Sequence, residues 1–406
     1  MKRIIILIDG TWDQEGAGNS TNVARLDPSN AAAGAPLIPA VAPDGIAQKV
    51  VYHAGVGADP DLLKHWLGGS IGLGLKQIVL DAYASIVNLY DHGDDIFVLG
   101  FSRGAYAARA LVGMIGASGI ARRPGTADLE TAWANYRVDP ATRADPQAGS
   151  AGDKQAIENL DTLREQGGLQ PDNRVKCVGV WDTVGSYGVP AGFGLTALAR
   201  YIALLTLGFH DTSFGDHVDV GLHAVAVDER RRPFVPTFWT IEKGLQPAGH
   251  VEQTWFAGEH GNIGGGEADP RLSNEALIWM IARLQALTGL AFEMDAVRDV
   301  AAKAGLDGEV YDSTIGWLID HAWPHLRKIL SPDAIMHYAF TNEADRTKEH
   351  INERVHWSAL RKRGRPCTVF GIANAIYNPA NLPQDIPSDK ITEMTAEERL
   401  AYSAIS

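Results

Sequence analysis

A serine between two glycines is the clearest indication of chemistry in this chain. The sequence GFSRG at 100–104 follows an apolar, strand-type run at 95–99 and precedes a helix-favouring run at 105–111. G-x-S-x-G between a strand and a helix is typical of a nucleophile elbow, a tight turn that exposes the serine hydroxyl. The pattern therefore predicts that Ser102 is a nucleophile. The alternative is a glycine-rich turn with no catalytic role.

A serine nucleophile needs a base, normally histidine, and a carboxylate that orients the base. In the sheet topology that the elbow implies, the acid and then the histidine follow the serine, each just after a strand. Asp182 directly follows an apolar run at 175–181, and His260 follows another at 251–256 in a glycine-rich loop. We therefore expect Asp182 and His260 to be the acid and the base. The competing interpretations are an aspartate that caps a turn and a histidine that bonds the loop backbone.

Other residues compete for both roles. Asp228 is the reserve acid, although the charged residues at 229–232 favour a structural ion-pair network there. Chain order and position favour His260 over six other histidines. These are His53, His65, His92, His210, His217 and His223.

Acyl transfer also needs amide donors for the oxyanion of the transition state. The first candidate is the amide of Arg103, and the second is the amide of Gly10 or Thr11 in the loop after the first strand. The alternative chemistry is a metal-dependent phosphoester hydrolase in which Asp9 and Asp13 bind a cation such as Mg²⁺. That alternative leaves the G-x-S-x-G motif and the histidine loop unexplained.

Short apolar runs that alternate with helical segments predict a mainly parallel sheet with helices on both faces. An apolar stripe at helical spacing predicts a helix over 71–90, which Gly93 can end. A second helix is predicted over 272–287, ending at Gly289. The five predicted strands are 3–9, 49–53, 95–99, 175–181 and 251–256.

The sequence divides into a catalytic domain at 1–290 and a helical C-terminal extension at 291–406. Within the first domain, the polar segment 123–174 and the segment 186–222 are interpreted as insertions. The apolar stretch 193–209 in the second insertion is either a buried core helix or a lid over the pocket.

Composition narrows the classes of partner. The net charge of −13 argues against nucleic acid. Two cysteines are too few for a disulfide framework, and Cys177 is expected to be a reduced core thiol. We find no signal peptide and no apolar run long enough to span a bilayer, so the chain is expected to be cytoplasmic as synthesised.

Taken together, the motifs resemble one family over about residues 1–290. It is the α/β-hydrolase domain of the type VI secretion phospholipase effectors of the first lipase class, with uncharacterised bacterial and fungal relatives. The motifs are DGTW at 9–12, TNV at 21–23, GVG at 55–57, GFSRGA at 100–105, VWDTVG at 180–185, DER at 228–230 and WFAGEHGNIGGG at 255–266.

The resemblance implies an α/β-hydrolase that cleaves lipid or phospholipid esters with Ser102, Asp182 and His260 and needs no cofactor. It leaves open peripheral membrane contact, a secretion-system partner and delivery by that system. Asn262 is a departure, because the family usually has His-x-Asp here. A non-catalytic lipid-binding or partner-binding module is therefore an alternative, and a housekeeping esterase or lipase is equally allowed.

Overall fold

The computed structural model describes residues 1–10, 20–30, 34–55, 71–184, 214–315, 318–338 and 341–402. Thr11, Asp13 and the apolar stretch 193–209 lie outside the described residues.

The strands follow one another along the whole chain. They are β1 (Arg3–Ile8), β2 (Gln48–His53), β3 (Asp95–Phe101), β4 (Val175–Trp181), β5 (Val218–Ala226), β6 (Thr240–Glu242), β7 (His250–Phe256), β8 (Ala334–Tyr338), β9 (Thr341–Asp345), β10 (Lys348–His350), β11 (Glu353–His356), β12 (Pro366–Val369), β13 (Ile372–Ile376) and β14 (Ile391–Thr392).

The helices connect or flank these strands. They are α1 (Asn22–Leu26), α2 (Ile71–Leu89), α3 (Ser102–Ser118), α4 (Thr126–Tyr136), α5 (Pro140–Ala144), α6 (Ala151–Glu165), α7 (His260–Gly264), α8 (Arg271–Thr288), α9 (Met294–Ala301), α10 (Leu318–Ala322), α11 (Trp357–Lys362) and α12 (Ala396–Tyr402).

The central sheet has eight strands in the order β14-β11-β7-β5-β4-β3-β1-β2, and all of its pairings are parallel. Alternate residues of each strand point to opposite faces. In β1, Ile4, Ile6 and Ile8 pack with α2 and α3, whereas Ile5 and Leu7 pack with α8 and α9 on the other face. The predicted α/β-hydrolase-like sheet with helices on both faces is confirmed.

The expected insertion at 186–222 is wrong at its C-terminal end, because residues from Val218 onward form the central strand β5. Asp219, Gly221 and His223 interrupt its apolar run, so the sequence lacks the usual strand signal. The expected insertion at 123–174 contains three α-helices, α4 to α6, rather than a short helical excursion.

The segment after residue 290 is expected to be helical, but it contains strands as well as helices. It contains α9 to α12 but also β8 to β14, and β11 and β14 extend the central sheet. These strands are short and several are polar, as in the TNEAD of β9, so they lack the apolar alternation that predicts a strand. The domain division at residue 290 stays a prediction.

Cys177 and Cys367 are both buried and free. Within the described ranges, no helix combines the length and apolar character needed to cross a bilayer.

Candidate active site

The turn from β3 into α3 holds Ser102 in a strained backbone conformation. Its φ is +58°, in the left-handed region that non-glycine residues rarely adopt. Such strain persists only where the surrounding structure imposes it. Ser102 is the first residue of α3, at the carboxyl end of β3, as a nucleophile elbow requires.

Gly104 leaves room for the β1 backbone beside this turn. A Cβ at Gly104 would lie 2.2 Å from the carbonyl oxygen of Ile8 and 2.4 Å from that of Asp9. We expect Gly104→Ala to lower the free energy of unfolding by more than about 3 kcal/mol, since backbone atoms must shift. Denaturant titration measures the loss.

The matched control for Gly104→Ala is Gly152→Ala. Gly152 lies in α6, and the nearest atom to a Cβ there is Ser150 Oγ at 3.8 Å. This control is expected to stabilise the protein by about 0.5–1 kcal/mol, because alanine favours a helix over glycine. An unchanged denaturation midpoint for Gly104→Ala would contradict the steric interpretation.

Asp182 follows β4 and is completely buried. Its φ is +41°, so it too lies in the left-handed region. Oδ1 accepts hydrogen bonds from the amide of Ala226 at 3.0 Å and from Arg327 Nη1 at 2.6 Å, and Oδ2 accepts from Arg327 Nη2 at 2.9 Å. Burial would raise the pKa of Asp182, but the Arg327 charge and the contact with His260 outweigh it and hold the pKa well below its usual value.

His260 bridges the other two predicted residues. Its Nδ1 lies 2.6 Å from Asp182 Oδ2, and its Nε2 lies 2.7 Å from Ser102 Oγ. An ionised carboxylate can only accept, so Nδ1 carries the ring proton and Nε2 of the neutral ring accepts from the serine hydroxyl. The structure therefore brings Ser102, His260 and Asp182 into one hydrogen-bonded row.

Aromatic rings hold the imidazole on two sides. The ring centroids of Phe101 and His260 are 4.7 Å apart, and Phe234 meets the imidazole edge-on at 5.1 Å. Burial lowers the pKa of His260, although the charge and hydrogen bond of Asp182 oppose this effect. The imidazole is therefore neutral at neutral pH, as a base must be.

The reserve acid Asp228 does not contact the imidazole. Its Oδ2 accepts from the amide of Gly258 and from the Tyr377 hydroxyl, each at 2.7 Å. Its neighbour Glu229 pairs with Arg231 at 2.8 Å. Asp228 therefore anchors the start of the histidine loop from outside the row.

The two candidate oxyanion donors differ in their contacts. Arg103 occupies the first turn of α3, where amides do not bond within the helix. Gly10 lies beside the nucleophile, because a Cβ there would lie 3.4 Å from Ser102 Cβ. The Gly10 amide donates to Asp9 Oδ1 at 2.7 Å, so it must leave that carboxylate before it can bind an oxyanion.

Asp9, the residue of the alternative cation site, is engaged by the protein. Its Oδ2 accepts from Thr21 Oγ1 at 2.6 Å and from the Tyr52 hydroxyl at 2.8 Å. Across the ranges that the structure describes, no three His, Cys, Asp or Glu side chains form a group suited to a metal ion. Asp9 therefore links Gly10, Thr21 and Tyr52 through hydrogen bonds.

Most of the chain matches one known protein family. Residues 2–283 match the family described as type VI secretion system phospholipase effector Tle1-like, catalytic domain. The chain belongs to this family. The description is that of a lipid ester hydrolase domain in a secretion-system effector.

Two individual proteins are also similar to this member of the Tle1-like family. An uncharacterized protein of Saccharomyces cerevisiae is 26% identical over 250 residues, which are 57% of this chain and 32% of the yeast protein. A crystal structure of an uncharacterized protein from Pseudomonas aeruginosa is 16% identical, covers 74% of this chain and 50% of that chain, and has a TM-score of 0.33. The chain thus spans about a third of the yeast relative and half of the Pseudomonas chain.

Asn262, the departure from the Tle1-like pattern, has a local structural role. Its backbone amide donates to Glu259 Oε1 at 2.7 Å, and its side-chain oxygen accepts from the amide of Glu259 at 3.2 Å, which together form a capping box for α7. Its side-chain nitrogen donates to the carbonyl of Glu309 at 3.0 Å. The asparagine therefore stabilises the turn that carries His260.

Arg327 contacts the acid of the row but was not among the residues predicted from the sequence. It lies beyond the 2–283 segment that matches the Tle1-like family. No motif surrounds it, so the sequence offers no signal that it reaches Asp182.

Proposed function

We propose that this chain is a serine hydrolase that cleaves acyl esters of lipids, in the manner of a phospholipase A. The hydrogen-bonded row from Ser102 through His260 to Asp182 is the observation that carries the proposal. A hydroxyl, a neutral imidazole and an ionised carboxylate in this order are the arrangement for nucleophilic attack on a carbonyl. The Tle1-like family supports the lipid substrate.

The reaction follows from the positions of these groups. His260 Nε2 takes the proton of Ser102 as Oγ attacks the ester carbon, and Asp182 stabilises the imidazolium that forms. The amide of Arg103 holds the oxyanion. The imidazolium returns the proton to the leaving alcohol, and water then releases the fatty acid from the serine by the same steps.

A cavity of about 440 Å³ lies along α3, and its lining includes Tyr106, Arg109 and Trp239 but none of the three residues of the row. The family, and not this cavity, therefore supports the lipid substrate. The family also supports delivery by a secretion system.

Labelling with a fluorophosphonate tests the proposed nucleophile. We expect a single adduct by intact mass, located on Ser102 by peptide mapping, and none on the heat-denatured protein. The absence of an adduct, or an adduct on another serine, would contradict the proposal.

Phosphatidylcholine and phosphatidylglycerol vesicles test the bond that is cleaved. We expect fatty acid release that a chelator does not affect. Release of phosphate or a headgroup that stops on addition of chelator would favour the metal-dependent alternative.

A further inference from the structure

A buried arginine from the C-terminal segment, Arg327, donates hydrogen bonds to Asp182 from both terminal nitrogens of its guanidinium. The exposed fraction of Arg327 is only 3%. Nη1 donates to Asp182 Oδ1 at 2.6 Å, and Nη2 donates to Asp182 Oδ2 at 2.9 Å. Two parallel bonds of this kind fix both the position and the plane of a carboxylate.

The arginine is itself held by backbone groups around the site. Nη1 also donates to the carbonyl of Ala226 at 2.8 Å, and Nη2 donates to the carbonyl of Phe234. These carbonyls lie at the end of β5 and in the segment that carries one of the rings against His260. The guanidinium therefore links Asp182 to the wall of the imidazole site.

The segment that carries Arg327 is attached to the central sheet. The carbonyl of Arg327 accepts from Asn381 Nδ2 at 3.2 Å. The amide of Leu330 donates to Glu353 Oε1 at 2.7 Å, and this oxygen also accepts from Trp255 Nε1 at 2.7 Å. Because Trp255 lies in β7 and Glu353 lies in β11, the segment is fixed to neighbouring strands.

The buried carboxylate needs a lasting counter-charge. Asp182 is completely buried, and an unpaired charge in such a place is strongly unfavourable. The neutral imidazole of the resting site donates a hydrogen bond but carries no charge. Arg327 supplies the positive charge in every protonation state of His260.

We propose that Arg327 is a positioning residue that holds Asp182 ionised and correctly oriented toward His260, so that the segment after residue 290 completes the catalytic row. This inference rests on the proposed function, because it assigns Arg327 a role only if the row performs catalysis.

The direction of the pH effect follows from charge. Removal of the guanidinium deletes a positive charge beside the Asp182–His260 pair, so the pair takes up a proton more readily and its pKa rises. The other ionisable groups around His260 are Glu229, whose Oε2 accepts from the His260 amide at 3.4 Å, its partner Arg231 and Glu259, whose pKa burial raises to about 8. All three remain in an Arg327 variant.

The experiment compares the full-length protein with Arg327→Met and Arg327→Lys by the rate of fluorophosphonate labelling at Ser102 across pH. Labelling needs neutral His260, so it declines as the pH falls through the pKa of His260, which lies below its ordinary value near 6.5. For Arg327→Met we expect labelling on the order of 100-fold slower, or about 2.7 kcal/mol. We also expect the acid limb to move up by about one pH unit. Arg327→Lys keeps the positive charge but not the two parallel hydrogen bonds. Its labelling rate is therefore expected to lie between those of the wild-type protein and Arg327→Met.

The matched control is Arg3→Met. Arg3 is also buried and pairs with Asp44 at 2.7 Å, but it begins β1 at the opposite end of the sheet from the row. We expect this variant to lose stability while its labelling rate and pH profile stay unchanged.

Each outcome has a separate meaning. Wild-type-like labelling and an unshifted acid limb in a folded Arg327→Met protein would overturn the inference and leave the proposed function intact. If Arg327→Met does not fold, Arg327→Lys decides: slowed labelling at an unchanged melting temperature supports positioning, and a wild-type rate and profile overturn it. Failure of the wild-type protein to label Ser102 would instead overturn the proposed function.

Discussion

Ser102→Ala is expected to abolish ester turnover, with a loss of kcat of about a million-fold. The hydroxyl is the group that bonds to the acyl carbon, and its Oγ lies 2.7 Å from His260 Nε2. Stability should change little, because alanine keeps the unfavourable left-handed backbone of this turn. Hydrolysis of a p-nitrophenyl ester and fatty acid release from vesicles measure the loss, and a melting curve checks the fold.

Ser102→Gly separates the strain from the chemistry. Glycine adopts φ near +58° without steric cost, so this variant should be equally inactive and about 1 kcal/mol more stable. Ser118→Ala is the matched control, because Ser118 ends the same helix and donates to the carbonyl of Ala132 at 2.7 Å. Undiminished turnover in Ser102→Ala would rule out the proposed nucleophile, and Ser118→Ala is expected to keep wild-type turnover.

Asp182→Asn is expected to reduce kcat about ten-thousand-fold at neutral pH. An amide NH₂ in place of Oδ2 would donate to His260 Nδ1 and favour the wrong tautomer, in which Nε2 carries the proton. The same change leaves Arg327 with an uncompensated charge, so the free energy of unfolding should fall by about 2–4 kcal/mol. Steady-state ester hydrolysis and denaturant titration measure the two effects.

Asp228→Asn distinguishes the two aspartates. Asp228 bonds Gly258 and Tyr377 and does not contact the imidazole, so this variant should lose stability but keep its turnover within about tenfold. A large loss of kcat in Asp228→Asn together with a small one in Asp182→Asn would reverse the assignment of the acid.

The sequence predicts the strands that bear the row better than the strands at the far edge. The runs that become β1, β3 and β4 are mostly apolar and buried, as expected for parallel strands covered on both faces. β5 is interrupted by polar residues and glycine. β11 and β14 are short, and their pairing with distant strands leaves no local trace in the sequence.

Only some of the candidate site residues have a signal in the local sequence. Ser102 lies in a motif, and Asp182 and His260 follow strands in the order that the motif requires, so local signals make all three candidates. Arg327 approaches Asp182 only through the tertiary fold. The contact between Gly10 and Asp9 depends on side-chain orientation, which sequence spacing does not determine.

The strand order has a consequence for biosynthesis. After β1 and β2 have formed, every later member of the central sheet joins the same growing edge, from β3 through β4, β5, β7 and β11 to β14. A nascent polypeptide leaving the ribosome can thus assemble the sheet vectorially, since each arriving strand finds its template already complete. No paired neighbours have to separate to admit a latecomer.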